Sequence, residues 1–229
     1  MIVGLAVALA LGGGRLFAAP NLPADPEGQY ALAQSYYYGR DGIKRDCAQA
    51  LYWWRKAAGQ GHDGAMYDLG GFYLHPDKSC PVKRHDYARA MRWFRRAAAG
   101  GDARAMTDIG VMYDGGLGVR RSGREAFRWF VKAAHRGDGQ AMINIGRGYA
   151  AKRDYAKAME WYKRALSPSG GDEAAADIGD LYRDGLGVAK NQKEAQRWYR
   201  ISGAFGEARL KGLPACGGRK AEIGRPCSP

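Results

Sequence analysis

The 30 residues from Ala105 to Ala134, AMTDIGVMYDGGLGVRRSGREAFRWFVKAA, contain two apolar patterns joined by a glycine-rich segment. Apolar residues recur at helical spacing in both halves: Ala105, Ile109 and Met112 in the first, and Ala126, Trp129, Phe130 and Ala133 in the second. The stretch therefore predicts two amphipathic helices, A and then B, with a turn between them.

Similar pairs of patterns occur along most of the chain. A Trp followed by an aromatic residue marks each B helix, at Trp53, Trp93, Trp129, Trp161 and Trp198. A Leu-Gly or Ile-Gly pair marks four A helices, with the glycine at Gly70, Gly110, Gly146 and Gly179. A weaker A pattern begins at Gly28 and makes five copies with a period near 36 residues. The sequence thus predicts an all-α protein, an α-solenoid of about five helix-turn-helix repeats.

The recurring glycine inside helix A predicts a packing constraint. Glycine in a helix interior costs about 1 kcal/mol relative to alanine, so four recurrences need a reason. Because glycine has no Cβ, we expect helix B to approach closely there and the Trp of helix B to occupy the space.

Two glycine-rich heptads, YDGGLGV from Tyr113 and YRDGLGV from Tyr182, lie between helix A and helix B of their copies. A phosphate-binding loop would follow a strand and contain GxxxxGK[ST] or GxGxxG, and neither condition is met. We therefore interpret the heptads as turns that end helix A. Gly-Asp pairs between copies predict a C-terminal glycine followed by an N-cap: Gly101-Asp102, Gly137-Asp138 and Gly171-Asp172.

The combined pattern, A-x-x-x-L-G-x-x-Y-x-x-G-x-G-V followed by A-x-x-W-Y-x-K-A-A, resembles the SEL-one-like repeat (SLR) family, a relative of the tetratricopeptide repeats. The resemblance extends from about Gly28 to Gly203 and is close at Ala105–Ala134. The fourth copy departs from it, since YAAKRDYAKA lacks the glycine turn. The resemblance implies a solenoid whose concave face is lined by A helices, in a protein that binds proteins or peptides and is not an enzyme.

The A-to-B junctions vary in length, whereas the B-to-A junctions do not. The steps from each anchor Tyr to the next Trp are 17, 20, 16, 12 and 16 residues, and the steps from each Trp to the next Tyr are 20, 20, 20 and 21. All junctions of one kind lie along one edge of a solenoid, so this edge is either a binding edge or one that tolerates insertions. Its longest segment is Leu74–Asp86, which contains His75, Cys80 and His85.

Four cysteines are present, and two of them occupy neighbouring copies of that edge. Stacked repeats are separated by about 10 Å, so a disulfide between Cys47 and Cys80 is geometrically plausible. A metal site of His75, Cys80 and His85 is the alternative, although its spacing matches no standard zinc pattern. Cys216 and Cys227 follow the last copy, and we expect them to close a C-terminal loop.

Two recurring polar positions are candidate binding surfaces. Helix A carries a polar ladder before its Leu or Ile, at Asp68, Asp108, Asn144 and Asp177. The ladder either binds a partner or joins neighbouring repeats internally. Helix B carries basic residues two and three positions after the Trp: Arg55, Lys56, Arg95, Arg96, Lys132, Lys163, Arg164 and Arg200. This basic row is either a solvated outer face or a site for anions.

The formal net charge is +13, which indicates an anionic partner or simply a basic solvated surface. Residues 1–19 resemble an export signal, although no Lys or Arg precedes the apolar run. We expect a linker at 20–27, the repeat array at 28–203, and a C-terminal helix with a cysteine-bounded tail at 204–229. An even number of cysteines behind such a segment favours a periplasmic or secreted protein, or one anchored by an uncleaved N-terminal segment.

No catalytic motif such as G-x-S-x-G, S-x-x-K or H-E-x-x-H is present, and we expect no cofactor, no metal and no nucleic-acid partner. Two hypotheses remain. The first is an exported scaffold that binds a protein or peptide through the concave face and the variable edge, with the polar ladder, His75 and His85 as candidate contacts. The second is a cell-envelope protein that binds an anionic glycan or lipid through a basic convex face.

Overall fold

The computed structural model describes residues 22–77, 80, 84–166 and 171–211. Within this part of the chain the structure is helical and contains no strand, which confirms the predicted α-solenoid. The signal-like segment 1–19 and the Cys216–Cys227 pair lie outside the described residues, as do the first residues of the linker. The helices are α1 (Pro26–Tyr38), α2 (Cys47–Gly59), α3 (Asp63–Leu74), α4 (Tyr87–Gly100), α5 (Ala103–Gly115), α6 (Gly123–Ala134), α7 (Gly139–Ala151), α8 (Tyr155–Ala165), α9 (Asp172–Asp184), α10 (Gln192–Ile201) and α11 (Ala204–Lys211).

The first ten helices form five antiparallel A–B pairs, α1–α2 to α9–α10, and each pair packs on the next. Helix α11 follows and packs against α9 and α10. None of the helices in the described part is both long enough and apolar enough to cross a bilayer.

Capping residues set the beginnings of most helices. Asp46, Asp86, Ser122, Asp154 and Asn191 are the N-caps of the B helices, and each side chain accepts a hydrogen bond from a backbone N–H of the first turn. Asp102 and Asp138 cap α5 and α7 in the predicted way. The third Gly-Asp pair differs, because Gly171 is itself the N-cap and Asp172 is already helical. There the aspartate contributes negative charge to the first turn, where the helix dipole favours it.

A backbone hydrogen bond closes every A-to-B junction regardless of its length. The N–H of each B-helix N-cap donates to the carbonyl of the anchor Tyr in helix A. The five bonds join Asp46 to Tyr36, Asp86 to Tyr73, Ser122 to Tyr113, Asp154 to Tyr149 and Asn191 to Tyr182, at 2.8 to 3.0 Å. Because the ends of each junction are fixed this way, the residues between them can vary.

The glycine heptads are turns, as predicted. Gly116 and Gly118 both have φ of +68°, a left-handed conformation that favours glycine. A Cβ at Gly118 would also stand 2.4 Å from the Cβ of Tyr87 in the preceding repeat, and Gly187 has the same relationship to Tyr155 at 2.6 Å. The heptads therefore both end helix A and pack one junction against its neighbour.

We expected the Trp of helix B to face the glycine of helix A, and this prediction was wrong, because the aromatic residue directly after the Trp does so. Gly70, Gly110, Gly146 and Gly179 face Phe94, Phe130, Tyr162 and Tyr199, which are the aromatic residues directly after the Trp. Adjacent positions on a helix differ by about 100° in direction, so only one of the two aromatics can point at the glycine. Trp53 is buried, whereas Trp93, Trp129, Trp161 and Trp198 are partly buried against the edge of the core.

Candidate functional site

The polar ladder lies on α3, α5, α7 and α9, at the surface where successive A helices meet. Asp68 on α3 accepts hydrogen bonds from two residues of α1: the Tyr30 hydroxyl at 3.0 Å and the Gln34 amide at 2.6 Å. Burial raises the pKa of Asp68, and it also raises the pKa of Tyr30, to about 12. Asp68 therefore joins the first two repeats through uncharged donors.

Asp108 repeats this arrangement one repeat later. The Tyr67 hydroxyl of α3 donates to its carboxylate. Burial raises the pKa of Asp108 to about 6, while the Tyr67 hydrogen bond lowers it and the nearby Asp138 raises it. Arg104 is a cation that lowers the pKa of Asp108, but it is already paired with Asp102 at 2.7 Å and lies over the Tyr67 ring at 4.2 Å.

At the C-terminal end of the polar ladder, the carboxylate is paired with arginines. Asp177 is buried and pairs with two arginines, Arg147 of α7 at 2.8 Å and Arg209 of α11 at 3.3 Å. Arg147 also pairs with Glu173 at 2.7 Å. Asn144 occupies the ladder on α7 and carries no charge. The negative charge of Asp177 is therefore balanced within the protein.

Of the two roles considered for the polar ladder, these contacts show that it joins neighbouring repeats. Asp68, Asp108 and Asp177 each bond to the A helix of the preceding repeat, so the ladder joins neighbouring repeats. Only Asp68 and Asp108 do so without forming an ion pair among the described residues.

Open surface lies next to these two carboxylates. Gly71 is one turn after Asp68 on α3, and no atom lies within 4 Å of the position its Cβ would take. Val111 is one turn after Asp108 on α5 and is 39% exposed. Because α3 and α5 are in contact, we group Asp68, Gly71, Asp108 and Val111 as one candidate binding region, called the acidic groove below.

The basic residues of the B helices are also engaged internally. The cation three positions after the Trp lies over its ring in four repeats: Lys56 on Trp53, Arg96 on Trp93, Lys132 on Trp129 and Arg164 on Trp161, at 4.3 to 4.9 Å from the ring centroid. Arg55 and Arg95, two positions after the Trp, donate to the hydroxyls of Tyr73 and Tyr113 at 2.8 and 3.2 Å. The ring contacts therefore lie within single B helices, whereas Arg55 and Arg95 join a B helix to the A helix of the next repeat.

The longest junction contains the predicted disulfide between Cys47 and Cys80, with the Cα atoms 5.4 Å apart. The sulfur of Cys80 is therefore not a free thiolate ligand, and no group of three potential metal ligands occurs among the described residues. His75 and His85 lie 6.4 Å apart between ring centroids. His85 Nδ1 lies 2.6 Å from the Leu74 carbonyl oxygen, and its ring stacks on Tyr87, so His85 contributes to the packing of the junction.

Sequence reasoning missed the partners of the ladder, namely Tyr30, Gln34, Tyr67 and Arg147. A signal was available: Tyr30 and Tyr67 each lie at the same position of an A helix, directly before the ladder position. In solenoids the same position in adjacent repeats is close in space, so a donor there is within reach of the ladder carboxylate of the next repeat.

The Sel1 repeat family matches five consecutive segments, at residues 26–62, 64–102, 103–138, 139–167 and 172–204. No curated protein matches the chain significantly.

Two solved structures show clear sequence similarity. A protective antigen present in uropathogenic Escherichia coli strains, with an SLR fold, is 34% identical with a TM-score of 0.67. The match covers 78% of this chain but only 38% of the antigen. A Sel1 repeat protein from Oxalobacter formigenes is 31% identical with a TM-score of 0.67, and the match covers 77% of this chain and 70% of the other.

An immunity protein from Pseudomonas aeruginosa shares the fold at 19% identity, with a TM-score of 0.57 over 83% of this chain and 69% of its own. Sel1 repeats generally mediate protein–protein interactions and are generally non-catalytic. Because the family match covers most of the sequence and agrees with the helix pairs described above, this chain belongs to the Sel1 repeat family.

Proposed function

We propose that this protein is an exported, non-enzymatic scaffold that binds a basic segment of a protein or peptide in the acidic groove. The observation that carries the proposal is the difference between the two ends of the polar ladder. Asp177 is neutralised by Arg147 and Arg209, whereas Asp68 and Asp108 bond to tyrosine and glutamine side chains and form no ion pair among the described residues. The cation near both of them, Arg104, is already paired with Asp102. A cationic partner would supply the missing countercharge.

The open positions beside the two carboxylates support an extended segment as the ligand. Gly71 leaves room for main-chain atoms, and the exposed Val111 offers a small apolar contact beside Asp108. A Lys or Arg that reaches Asp68 or Asp108 would form a charge-assisted hydrogen bond with a partly buried carboxylate. The variable junction edge, with His75 and His85, remains a second candidate contact surface.

Export is supported by the disulfide. A buried Cys47–Cys80 bond is typical of an oxidising compartment, and residues 1–19 resemble an export signal. Cell fractionation combined with thiol labelling of the native protein tests this part. Recovery of the protein in the cytosol with both thiols labelled would contradict it.

Groove binding is tested with labelled peptides by fluorescence anisotropy. Asp68→Asn with Asp108→Asn removes the charge but keeps acceptors for Tyr30 and Tyr67, so the fold should persist. We expect Lys- or Arg-containing peptides to bind the parent and to bind the variant at least tenfold more weakly, a change of about 1.4 kcal/mol. A pull-down from the native envelope fraction then identifies the natural partner.

The matched control is Asp114→Asn with Glu160→Gln, which makes the same change in net charge outside the groove. Asp114 is exposed, and Glu160 belongs to an exposed ion pair with Arg164, of a kind that contributes little to stability. Equal losses in both variants, or equal binding of acidic peptides, would contradict the proposal.

A further inference from the structure

The A-to-B junctions of successive repeats lie side by side along one edge of the array. Arg45 of the first junction forms an ion pair with Asp77 of the second. Gly118 of the third junction packs on Tyr87 at the end of the second, and Gly187 of the fifth packs on Tyr155 at the end of the fourth. The junction edge is therefore a continuous surface and not a set of separate loops.

This edge carries an exposed cation from every repeat. None of these five residues forms an ion pair within the part of the chain that the structure describes: Lys44, Arg84, Arg120, Lys152 and Lys190. We call this row the cationic edge. Adjacent repeats are separated by about 10 Å, so the charges are spaced along the length of the array rather than gathered in one pocket.

Most carboxylates at the same edge have partners other than the row. Asp46, Asp86 and Asp154 are N-caps that accept backbone N–H groups of the B helices. Asp77 is paired with Arg45, and Asp184 is paired with Arg183 at 2.6 Å, with Lys190 nearby. Asp41 accepts a hydrogen bond from Ser35, and Asp114 is exposed.

The opposite edge, formed by the B-to-A junctions, carries charges of both signs. Asp102 and Asp138 are N-caps there, and Asp102 is paired with Arg104 at 2.7 Å. The exposed Arg136 donates to the Gly101 carbonyl oxygen at 3.4 Å. Exposed cations also occur on the B helices, and the control variant below therefore compares the cationic edge with that face.

An exposed aromatic side chain lies at the N-terminal end of the cationic edge. Tyr38 is the last residue of α1 and is 53% exposed, and the Arg40 guanidinium lies 4.5 Å from its ring centroid. Tyrosine is favoured at the boundary between lipid headgroups and acyl chains, because its ring is apolar and its hydroxyl is polar. A soluble polyanion would offer no such boundary.

We propose that the cationic edge docks the array edge-on onto a bilayer that contains anionic phospholipid. Lysine and arginine near an anionic leaflet are attracted over about one Debye length, so a row of exposed cations on one edge orients the protein as it binds.

Sedimentation with vesicles tests the proposal on the full chain. Vesicles of phosphatidylcholine alone are compared with vesicles in which about a third of the lipid is phosphatidylglycerol. The ratio between the two isolates the anionic contribution from any insertion of the apolar N-terminal segment. We expect the parent to prefer the anionic vesicles and to lose that preference at high salt.

The edge variant combines Lys44→Glu, Arg120→Glu and Lys152→Glu. The control variant combines Arg92→Glu, Lys163→Glu and Arg200→Glu, which are exposed on the B helices and change the net charge equally. We expect the edge variant to lose the preference for anionic vesicles at least tenfold and the control to keep it within about twofold. Thermal unfolding of all three proteins checks that the fold is intact.

Three results would overturn the proposal. The first is a parent that does not distinguish the two vesicle types. The second is an equal loss in both variants, which would mean that total charge and not the edge governs binding. The third is edge-dependent binding to soluble polyphosphate or dextran sulfate without binding to vesicles, which would assign the edge to a polyanion.

Discussion

The ring of Phe130 lies directly on Gly110, where a Cβ would stand 2.5 Å from Phe130 Cε1. The same pairing recurs three times, with Phe94 on Gly70, Tyr162 on Gly146 and Tyr199 on Gly179. Gly110 and Phe130 are both buried. Their contact therefore sets how closely helices A and B approach within a repeat.

Gly110→Ala should destabilise the protein although alanine is the better helix former. The added methyl collides with a buried ring that cannot move freely, and overpacking of this kind costs about 1–3 kcal/mol. Chemical denaturation measures the change. Gly148→Ala is the control, since Gly148 is in the interior of α7 with no atom within 4 Å of its Cβ position. The control should be stabilised by up to about 1 kcal/mol, and a Gly110 variant as stable as the parent would contradict the packing described.

Phe130→Ala should destabilise the array more than Trp129→Ala. Phe130 is buried on Gly110, and removal of a buried aromatic costs about 3–5 kcal/mol. Trp129 is only partly buried, and one side of its ring is covered by Lys132 rather than by the core. Equilibrium unfolding of the two variants gives the order directly. A larger loss for Trp129→Ala would restore the Trp as the main anchor.

Reduction of the Cys47–Cys80 disulfide should lower the free energy of unfolding. The bond closes a loop across 33 residues, for which chain entropy predicts about 3–4 kcal/mol. Unfolding with and without a reductant measures the loss, and Cys47→Ala with Cys80→Ala should reproduce it. Because both sulfurs belong to the disulfide, a thiol reagent should label neither cysteine in the oxidised protein.

Ionisation of Asp108 should destabilise the folded protein as the pH rises from about 4 to 6. Its pKa of about 6 in the folded protein is above that of an unfolded aspartate, so the folded state holds a proton that the unfolded state releases. Asp108→Asn does not titrate and should remove this contribution. At pH 7 the variant should gain up to about 3 kcal/mol relative to the parent, and at pH 4 little. An equal difference at both pH values would contradict a buried Asp108 carboxylate that has no ion-pair partner.

The repeat architecture could be predicted from the sequence because its signals are local and recur. Helical spacing, N-cap residues and turn glycines each act within a few residues, so five similar copies reinforce one interpretation. The choice between Trp129 and Phe130 could not be made in this way. Both positions fall on the apolar stripe of helix B, and only the crossing of helix A decides which one meets Gly110.

The candidate site depends on contacts between repeats, and the periodic pattern indicates the tyrosine partners but not the arginines. Asp68, Asp108 and Asp177 occupy one position of the motif, yet their partners are Tyr30, Tyr67 and Arg147. These partners differ because the preceding A helix differs at the corresponding surface. The net charge likewise gave no indication that unpaired cations gather at the junction edge.

Because of the position of the disulfide, the two ends of the repeat array should differ in local stability. Each repeat in such an array is stabilised by contacts with its neighbours, so unfolding can begin at either end. The covalent bond joins the first two repeats, whereas the last described pair, α9–α10, is bordered by the eight-residue helix α11. Fraying should therefore start at the C-terminal end and progress towards the N-terminus. A protease that acts on opened segments would shorten the protein from that side, and the first two repeats would be the last part to be degraded.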